Sequence, residues 1–422
     1  MDGKLYEQYL QILKEELIPA LGCTEPIAIA YASAKAREVL GEEPVSIVAH
    51  CSGNIIKNVK GVIVPTTENM KGVEASAILG AIGGNPSKQL ETLSDVKPEH
   101  IARTKELLKQ KICHVELIEG VSNLDIIIEM TGKEHTCLVE IVYAHTNICR
   151  IEKDGKVLLD NKQNPNHGSS VDRAILNLDD ILDFAQNVKI QDVKEILDRQ
   201  ITCNLQIAQE GLKTGYGANV GPTLLSHYGQ TVENLAKALP AAGSDARMNG
   251  CVLPVVINSG SGNQGMTVSL PIVVYADHLK STDEEKYRAL TLSNLIAIYQ
   301  KNGLGKLSAY CGAVSAAAGA GAGIAYLHHS SKEVIEDTIV NTLANVSGIV
   351  CDGAKASCAA KIASAVDAAE MGFFMANNNH VFSAGEGLVN ESAEDTIKNI
   401  GRMGRVGMKS TDVEILKIMI GQ

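Results

Sequence analysis

CHVELIEGVSNLDIIIEMTGKEHTCLVEIVYAHTNICRIEKDGKVLLD, residues 113–160, is the stretch whose reading decides the fold. Apolar and polar residues alternate through it with a period of two, and glycine or Lys-Asp-Gly stands at the breaks, the pattern of short strands joined by tight turns. An antiparallel sheet is predicted here, with a helix over 98–111 beside it. Upstream, Leu5, Tyr9, Leu10, Leu13 and Leu17 recur at helical spacing, and a second helical run follows Pro26 through Ile27, Ala30, Tyr31 and Ala34. SIVAHCSGNIIKNVKGVIVP, residues 46–65, reads as two short extended pieces interrupted at Gly53 and Asn54, and EASAILGAIGGNP as a helix stopped by Gly-Gly-Asn-Pro. Downstream of the polar linker NKQNPNHGSS the chain reads as helical to its end, with glycine-rich corners at INSGSGNQGM and GIVCDGAK. The expected class is α+β: a mainly helical domain from residues 1–90 and 166–422, carrying a small antiparallel-sheet α/β insert at 91–165.

A chain of 422 residues exceeds what one hydrophobic core serves. Its 45% apolar share is carried by Ala, Val, Ile and Leu, with no Trp and only 4 Phe, so the interior must be filled by small aliphatic side chains, which favour closely packed helices. The formal charge is -11 and the Lys and Arg residues are interspersed among acids, which offers no basic stripe and argues against nucleic acid as a partner. MDGKLYEQYLQILKEELIPAL is an acidic amphipathic helix without the basic and apolar regions of a signal peptide. The nearest approach to a membrane span, CGAVSAAAGAGAGIAYLHH, is built of Ala and Gly and would partition weakly into lipid. A cytoplasmic protein with no membrane partner is expected, its 10 cysteines reduced and available for metal binding or catalysis.

Where those cysteines stand then becomes the question. In NVSGIVCDGAKASCAAKIASA, Gly348 and Gly353 flank a loop and the run from about Lys355 reads as a helix. Were Cys351 and Cys358 both helical, they would lie about 10.5 Å apart along the axis, too far for direct ligands of one compact cluster. Cys351 is therefore expected in the preceding turn, folded back toward Cys358, with a helix N-terminus nearby to favour thiolate. Cys311 opens CGAVSAAAGAGAGIAYL after Lys306-Leu-Ser-Ala-Tyr, where Gly312 and the small residues beyond it admit close approach of a helix or cofactor, and it could supply a third ligand. This spacing is neither a zinc ribbon nor a ferredoxin pattern and by itself names no metal; cysteines buried as small hydrophobes are the competing reading.

Cys23 lies in LGCTEP, where Thr24 can cap and Pro26 can enter the first turn of the next helix. A thiol there has a lowered pKa and suits a nucleophile or a base, unless it is a structural cysteine at a helix junction. Cys113, Cys137 and Cys149 in the alternating stretch, and Cys203 in a helical pattern, read as packing. Cys51 and Cys251 border glycine or polar loop residues and stay as minor alternatives for a ligand or active-site neighbour.

NSGSGNQG, Asn258 to Gly265, concentrates glycines, hydroxyls and amides in a loop before a β-like run. Backbone N–H groups among Ser259, Gly260, Ser261, Gly262, Asn263 and Gln264 could converge on a substrate carboxylate; a tight structural turn explains the same residues. There is no GxxxxGK[ST] phosphate loop. HCSGNIIKNVKG adds a second polar group, Ser52, Asn54, Lys57 and Asn58, with Lys57 its only permanent cation, or else is a solvated hairpin end. His328 and His329 would point about 100° apart on a helix and do not converge on one ion. His50, His145, His167, His227 and His380 lack a His-x-x-x-His partner and are set aside, and no G-x-S-x-G elbow motivates a serine triad.

Together, LGCTEPIAIAYA, CSGNIIKNVKGVIVP, NSGSGNQG and CDGAKASCAAKI resemble the L-cysteine desulfidase family, related to the alpha chain of iron-sulfur L-serine dehydratase. The resemblance spans nearly the whole chain. It implies a 4Fe-4S cluster on Cys311, Cys351 and Cys358, with Cys23 as catalytic base. Three protein thiolates on such a cube leave one iron open as a Lewis acid. The implied reaction is β-elimination on a small amino acid, L-cysteine giving pyruvate, ammonia and sulfide, with no pyridoxal phosphate. The related serine dehydratases have a longer gap between their last two ligand cysteines and a Cys-Asp-Pro start, whereas this chain has Cys351-Asp352-Gly353 and six intervening residues, which favours the desulfidase branch. The rivals are an L-serine dehydratase, a non-catalytic iron-sulfur redox sensor with Cys23 as fourth ligand, and a pyridoxal phosphate lyase using a lysine. The sequence does not fix the oligomeric state, and a homodimer is one assembly compatible with it.

Overall fold

A computed structural model describes residues 1–162, 169–213, 215–305 and 307–421. His167, Lys306 and the expected boundary at 165–166 lie outside the described residues. The fold is α+β, 60% helical. Alternation at 113–160 produces the strands β3 (Cys113–Ile118), β4 (Asp125–Thr131), β5 (Thr136–Val142), β6 (Ile148–Lys153) and β7 (Lys156–Asp160), preceded by β1 (Pro19–Leu21) and β2 (Ser46–Ser52) and followed by β8 (Pro254–Val256). The larger sheet runs β3-β2-β4-β5-β6-β7. It is mixed, because β2 enters it between β3 and β4, parallel to β3 and antiparallel to β4. A parallel neighbour needs a long crossover, which the helices between residues 53 and 110 supply; alternation within a strand does not reveal the direction of its neighbour. Inward residues Ile47, Ala49, Cys51, Ile126, Ile128, Val139 and Ile141 pack with Ala28, Ile29, Ala32, Ala36 and Leu40 of the helix Thr24–Leu40.

The helix Gly312–Leu327 forms the centre of the helical part, against the helices Gly262–Leu279, Asp283–Leu304, Lys332–Val346 and Cys358–Asn377. Its sequence GAVSAAAGAGAGIAYL is nearly all buried, and the small residues set the spacing: a Cβ on Gly319 would lie 2.5 Å from Ser293 O. Close helix approach thus replaces the bulk that the missing aromatics would have supplied. Among the described residues no helix is long and apolar enough to cross a membrane.

Two local expectations are corrected. Residues Gly53–Val59 form a helix rather than a second extended piece, since β2 ends at Ser52 and hands the chain to it. The NSGSGNQG loop leads into the helix Gly262–Leu279, not a β-like run, because the Ser261 hydroxyl caps that helix by accepting from Gln264 N. β1 and β8 form a separate antiparallel pair that ties the segment before Cys23 to the segment before Asn258.

Candidate active site

Four helix starts converge on one cavity of about 100 Å³. Cys23 is the N-cap of Thr24–Leu40, in place of the expected Thr24; Ser261 caps Gly262–Leu279; Cys311 caps Gly312–Leu327; and Cys358 is the first residue of Cys358–Asn377. Helix N-termini present unpaired N–H groups and positive dipole ends, so their convergence favours anionic occupants. Of the residues singled out from sequence, Cys23, Asn58, Ser259, Gly260, Ser261, Asn263, Gln264, Cys311, Cys351 and Cys358 line this cavity. Gly262 lies just behind it, where a Cβ would come within 2.5 Å of Arg247 Nε.

A short antiparallel bridge, Tyr310 to Val350, sets two of the thiols side by side: Cys311 N donates to Ile349 O at 3.1 Å and Cys351 N to Ala309 O at 2.6 Å. Cys351 lies before the helix and Cys358 begins it, so the intervening loop folds back as the axial distance required. Gly353 makes that turn at φ +94°, with Lys57 O 2.4 Å from where a Cβ would stand. Burial pushes the Cys311 thiol up to about 12, and the neighbouring Cys351 and Cys358 add to the effect while Lys361 opposes it. Cys358 is raised by burial and by Cys351. Lys361 donates to Val350 O at 2.9 Å and pairs with Asp352, which also binds Lys355 at 2.6 Å. Burial works against ionising Asp352, yet the two lysines bring its carboxyl down to about 2.

The donor set fits an iron-sulfur cluster. Among the described residues no group of three or more His, Cys, Asp or Glu stands ready to hold a metal ion. Three thiols spread around one cavity, Cys311 from one segment and Cys351 and Cys358 from another, suit a polynuclear centre, in which each thiolate would bind a different iron. The raised pKa values of Cys311 and Cys358 are those of thiols without metal; cluster binding would displace the protons.

Cys23 is only 2% exposed, and its Sγ donates to Glu25 Oε2 at 3.1 Å. Glu25 also accepts from Thr24 Oγ1 and from Asn58 Nδ2, each at 3.1 Å, and His145 Nε2 stands 3.8 Å from Oε1. Burial raises Glu25, but His145, Cys23 and Arg247 more than offset this and hold it at about 2. The expected low pKa of Cys23 is overturned: burial, then the Glu25 charge, push the thiol well above its ordinary value, with Arg247 opposing. A helix terminus contributes about 0.3–1 kcal/mol in favour of an anion, less than one pKa unit, and is outweighed here.

Arg247 is the cation that sequence reasoning missed. It is 2% exposed, and Nε donates to Gly22 O at 2.9 Å and Nη1 to Asn263 Oδ1 at 3.0 Å, while Nη2 has no hydrogen-bond partner. Across the same cavity, Gln264 Oε1 is also buried without a partner. A buried polar atom left unsatisfied costs about 1–3 kcal/mol, so a free donor and a free acceptor on one wall mark a place for a polar ligand. Lys57, expected to serve as that cation, is spent elsewhere: Nζ donates to Asp412 Oδ1 at 2.5 Å and Cys351 O at 3.2 Å. Ser52 Oγ donates to Asn123 O at 2.7 Å and Asn54 Nδ2 to Asp412 Oδ2 at 2.6 Å, so neither reaches the cavity wall. Nor do Cys51 and Cys251. Arg247 sits in ALPAAGSDARMNG, with no motif to mark it; Glu25 was visible two residues past Cys23, and His145 was set aside for want of a sequence partner.

The serine dehydratase alpha chain family matches this chain over residues 87–417, which include Arg247 and the three cysteines Cys311, Cys351 and Cys358 but not Cys23, Glu25 or Asn58. Among curated relatives, a UPF0597 protein of Lachnoclostridium phytofermentans is 56% identical over 416 residues, 99% of this chain and 100% of that protein. A UPF0597 protein of Desulfitobacterium hafniense is 50% identical over 99% of this chain and 98% of its own length, and one of Finegoldia magna is 49% identical over 98% and 99%.

Proposed function

The chain belongs to the serine dehydratase alpha chain family, and from that premise we propose that it is a β-eliminating amino-acid lyase converting L-cysteine to pyruvate, ammonia and sulfide. Cys311, Cys351 and Cys358 would hold a 4Fe-4S cluster. When bound, that group supplies an iron free of protein thiolate, a Lewis acid for the β-heteroatom of the substrate. What supports the reading most is that these three thiols share one small cavity with the unspent Arg247 Nη2 and Gln264 Oε1.

Arg247 Nη2 donates to the substrate carboxylate, beside the first-turn N–H groups of Gly262–Leu279. Gln264 Oε1 and the Glu25 carboxylate accept from the substrate ammonium, which fixes the Cα–H bond relative to Cys23. As the ammonium takes up the Glu25 charge, the largest charge opposing the Cys23 thiolate is neutralised, the thiol proton leaves to solvent, and the thiolate can then remove the Cα proton. Loss of sulfide leaves aminoacrylate, which water converts to pyruvate and ammonia. Gly353 at φ +94° supports the desulfidase branch over the serine dehydratases with Cys-Asp-Pro, because proline is fixed near −65° and cannot make this turn.

The test is anaerobic reconstitution followed by a panel of L-cysteine, L-serine and other β-substituted amino acids, assayed for pyruvate and sulfide. Pyruvate and sulfide from L-cysteine support the reading. Pyruvate from L-serine alone makes the chain a serine dehydratase, and a brown protein that turns over none of them makes it a redox sensor. The sensor reading draws on one observation, that four thiols including Cys23 line the cavity. Cys23→Ala separates the two, since a base can be lost with iron retained whereas a fourth ligand cannot.

A further inference from the structure

A second cavity, of about 460 Å³, lies away from the cysteines on the helix Cys358–Asn377, about three turns beyond Cys358. Its deepest polar group is Glu370, 2% exposed. Tyr275 OH donates to Glu370 Oε1 at 3.1 Å, but Oε2 is buried with no hydrogen-bond partner. Lys237 Nζ stands 3.8 Å from that oxygen and is engaged with Asp367 at 2.7 Å. Burial pushes the Glu370 carboxyl up to about 8, with Lys237 and Tyr275 opposing and Asp367 and Glu233 adding. Glu233 and Asp367 also line the cavity, so three acids face one lysine. The remaining wall combines apolar Met371, 49% exposed, Phe374, 41% exposed, and Met375 with polar Asn378 and His380.

Buried and without a partner at Oε2, Glu370 holds its proton near neutral pH, and a cation bound there would favour the ionised carboxylate. The apolar faces of Phe374 and Met371 beside these acids favour an organic cation over a bare metal ion. Cavity volumes of about 300–1,000 Å³ are those of small-molecule sites, and an aromatic face beside a carboxylate suits an ammonium carrying an apolar body. We propose that this cavity is a second binding site, for a small organic ammonium whose charge is met by Glu370 and whose apolar body lies on Phe374 and Met371.

Calorimetric titration of the full-length protein with 2-phenylethylammonium chloride at fixed ionic strength tests this, with 2-phenylethanol as the neutral counterpart. Saturable binding of one ammonium per site is expected, with the alcohol weaker by about tenfold and Glu370→Gln weakening the ammonium by about tenfold. Phe374→Leu, at an exposed position that leaves the fold intact, should weaken it by about threefold. The proposal is overturned if wild-type protein shows no saturable binding, if the alcohol binds as well as the ammonium, or if binding survives undiminished in Phe374→Leu. Ammonium-independent self-association that Glu370→Gln abolishes would overturn it as well, by making this face a contact between copies.

Discussion

The cysteines of the sheet layer are buried, whereas of those in the cavity only Cys23 is, with Cys311, Cys351 and Cys358 half-buried. Cys113 and Cys149 are each pushed to about 12 by burial and Cys137 to about 11; Cys311, in the cavity, also reaches about 12. Proton affinity does not separate Cys311 from the sheet thiols. A further difference is where the backbone places them: Cys113, Cys137 and Cys149 sit within strands, whereas Cys23, Cys311 and Cys358 stand at helix starts, whose first turns carry N–H groups without intrahelical partners. Reactive potential here follows from unspent backbone polarity around a shared void.

The sharpest way to break that comparison is to remove one thiol from each region. Cys358→Ser should lose the iron and reduce lyase turnover by roughly a thousandfold or more, while Cys137→Ser keeps iron and turnover and lowers unfolding stability by about 1–3 kcal/mol. Iron per chain and calorimetric melting read both, and iron loss in Cys137→Ser would erase the distinction. Next in size, Cys23→Ala should retain iron with kcat down by about 10²–10⁴. Arg247→Lys keeps a charge but not the fork, and should lower kcat/KM by about tenfold to a hundredfold without loss of iron; an unchanged kcat/KM would remove Arg247 from the substrate's carboxylate.

The smallest expected effect contrasts two buried carboxylates. Glu25 is held at about 2 by His145, Cys23 and Arg247 against the effect of burial. Asp125, on β4, is raised by burial and by Glu140 from 3.8 to about 7, and its Oδ1 is unpartnered. Between those two values the folded state binds a proton that the unfolded chain has released, so the Asp125 contribution to stability falls as pH rises from about 4 to about 7. Asp125→Asn should flatten this part of the stability profile and raise the melting temperature at pH 8 relative to wild type; chemical denaturation across the pH range checks it.

Much of this was legible in the sequence. Period-two alternation gave the strands, and the axial rise of a helix was enough to put Cys351 in a turn and Cys358 on a helix. Cys23 was readable as standing at a helix start because Pro26 marks one. Its proton affinity was not, since that depends on how deeply the thiol is buried and on a carboxylate whose own charge is secured by His145, 120 positions away in sequence. Lys57 and Arg247 exchanged expected roles for a similar reason. Charge is written in the sequence, but which acid neutralises it is decided by remote packing, here by Asp412 on the helix Lys409–Ile420. The parallel placement of β2 was likewise hidden, because a strand's own pattern carries no information about its neighbour's direction.

The cavity draws on both ends of the chain: Cys23 supplies one wall, while Asp412 secures Lys57, which in turn holds the carbonyl of Cys351. At a synthesis rate of about 5–20 residues per second, roughly 20 to 80 seconds separate the emergence of residue 23 from that of residue 412. A ribosome that stalls between residues 358 and 412 leaves a chain with every cavity thiol made and the pocket unfinished. Were the three thiols to hold a cluster as proposed, one loaded before residue 412 is made would meet an open mould and one loaded afterwards a closed one.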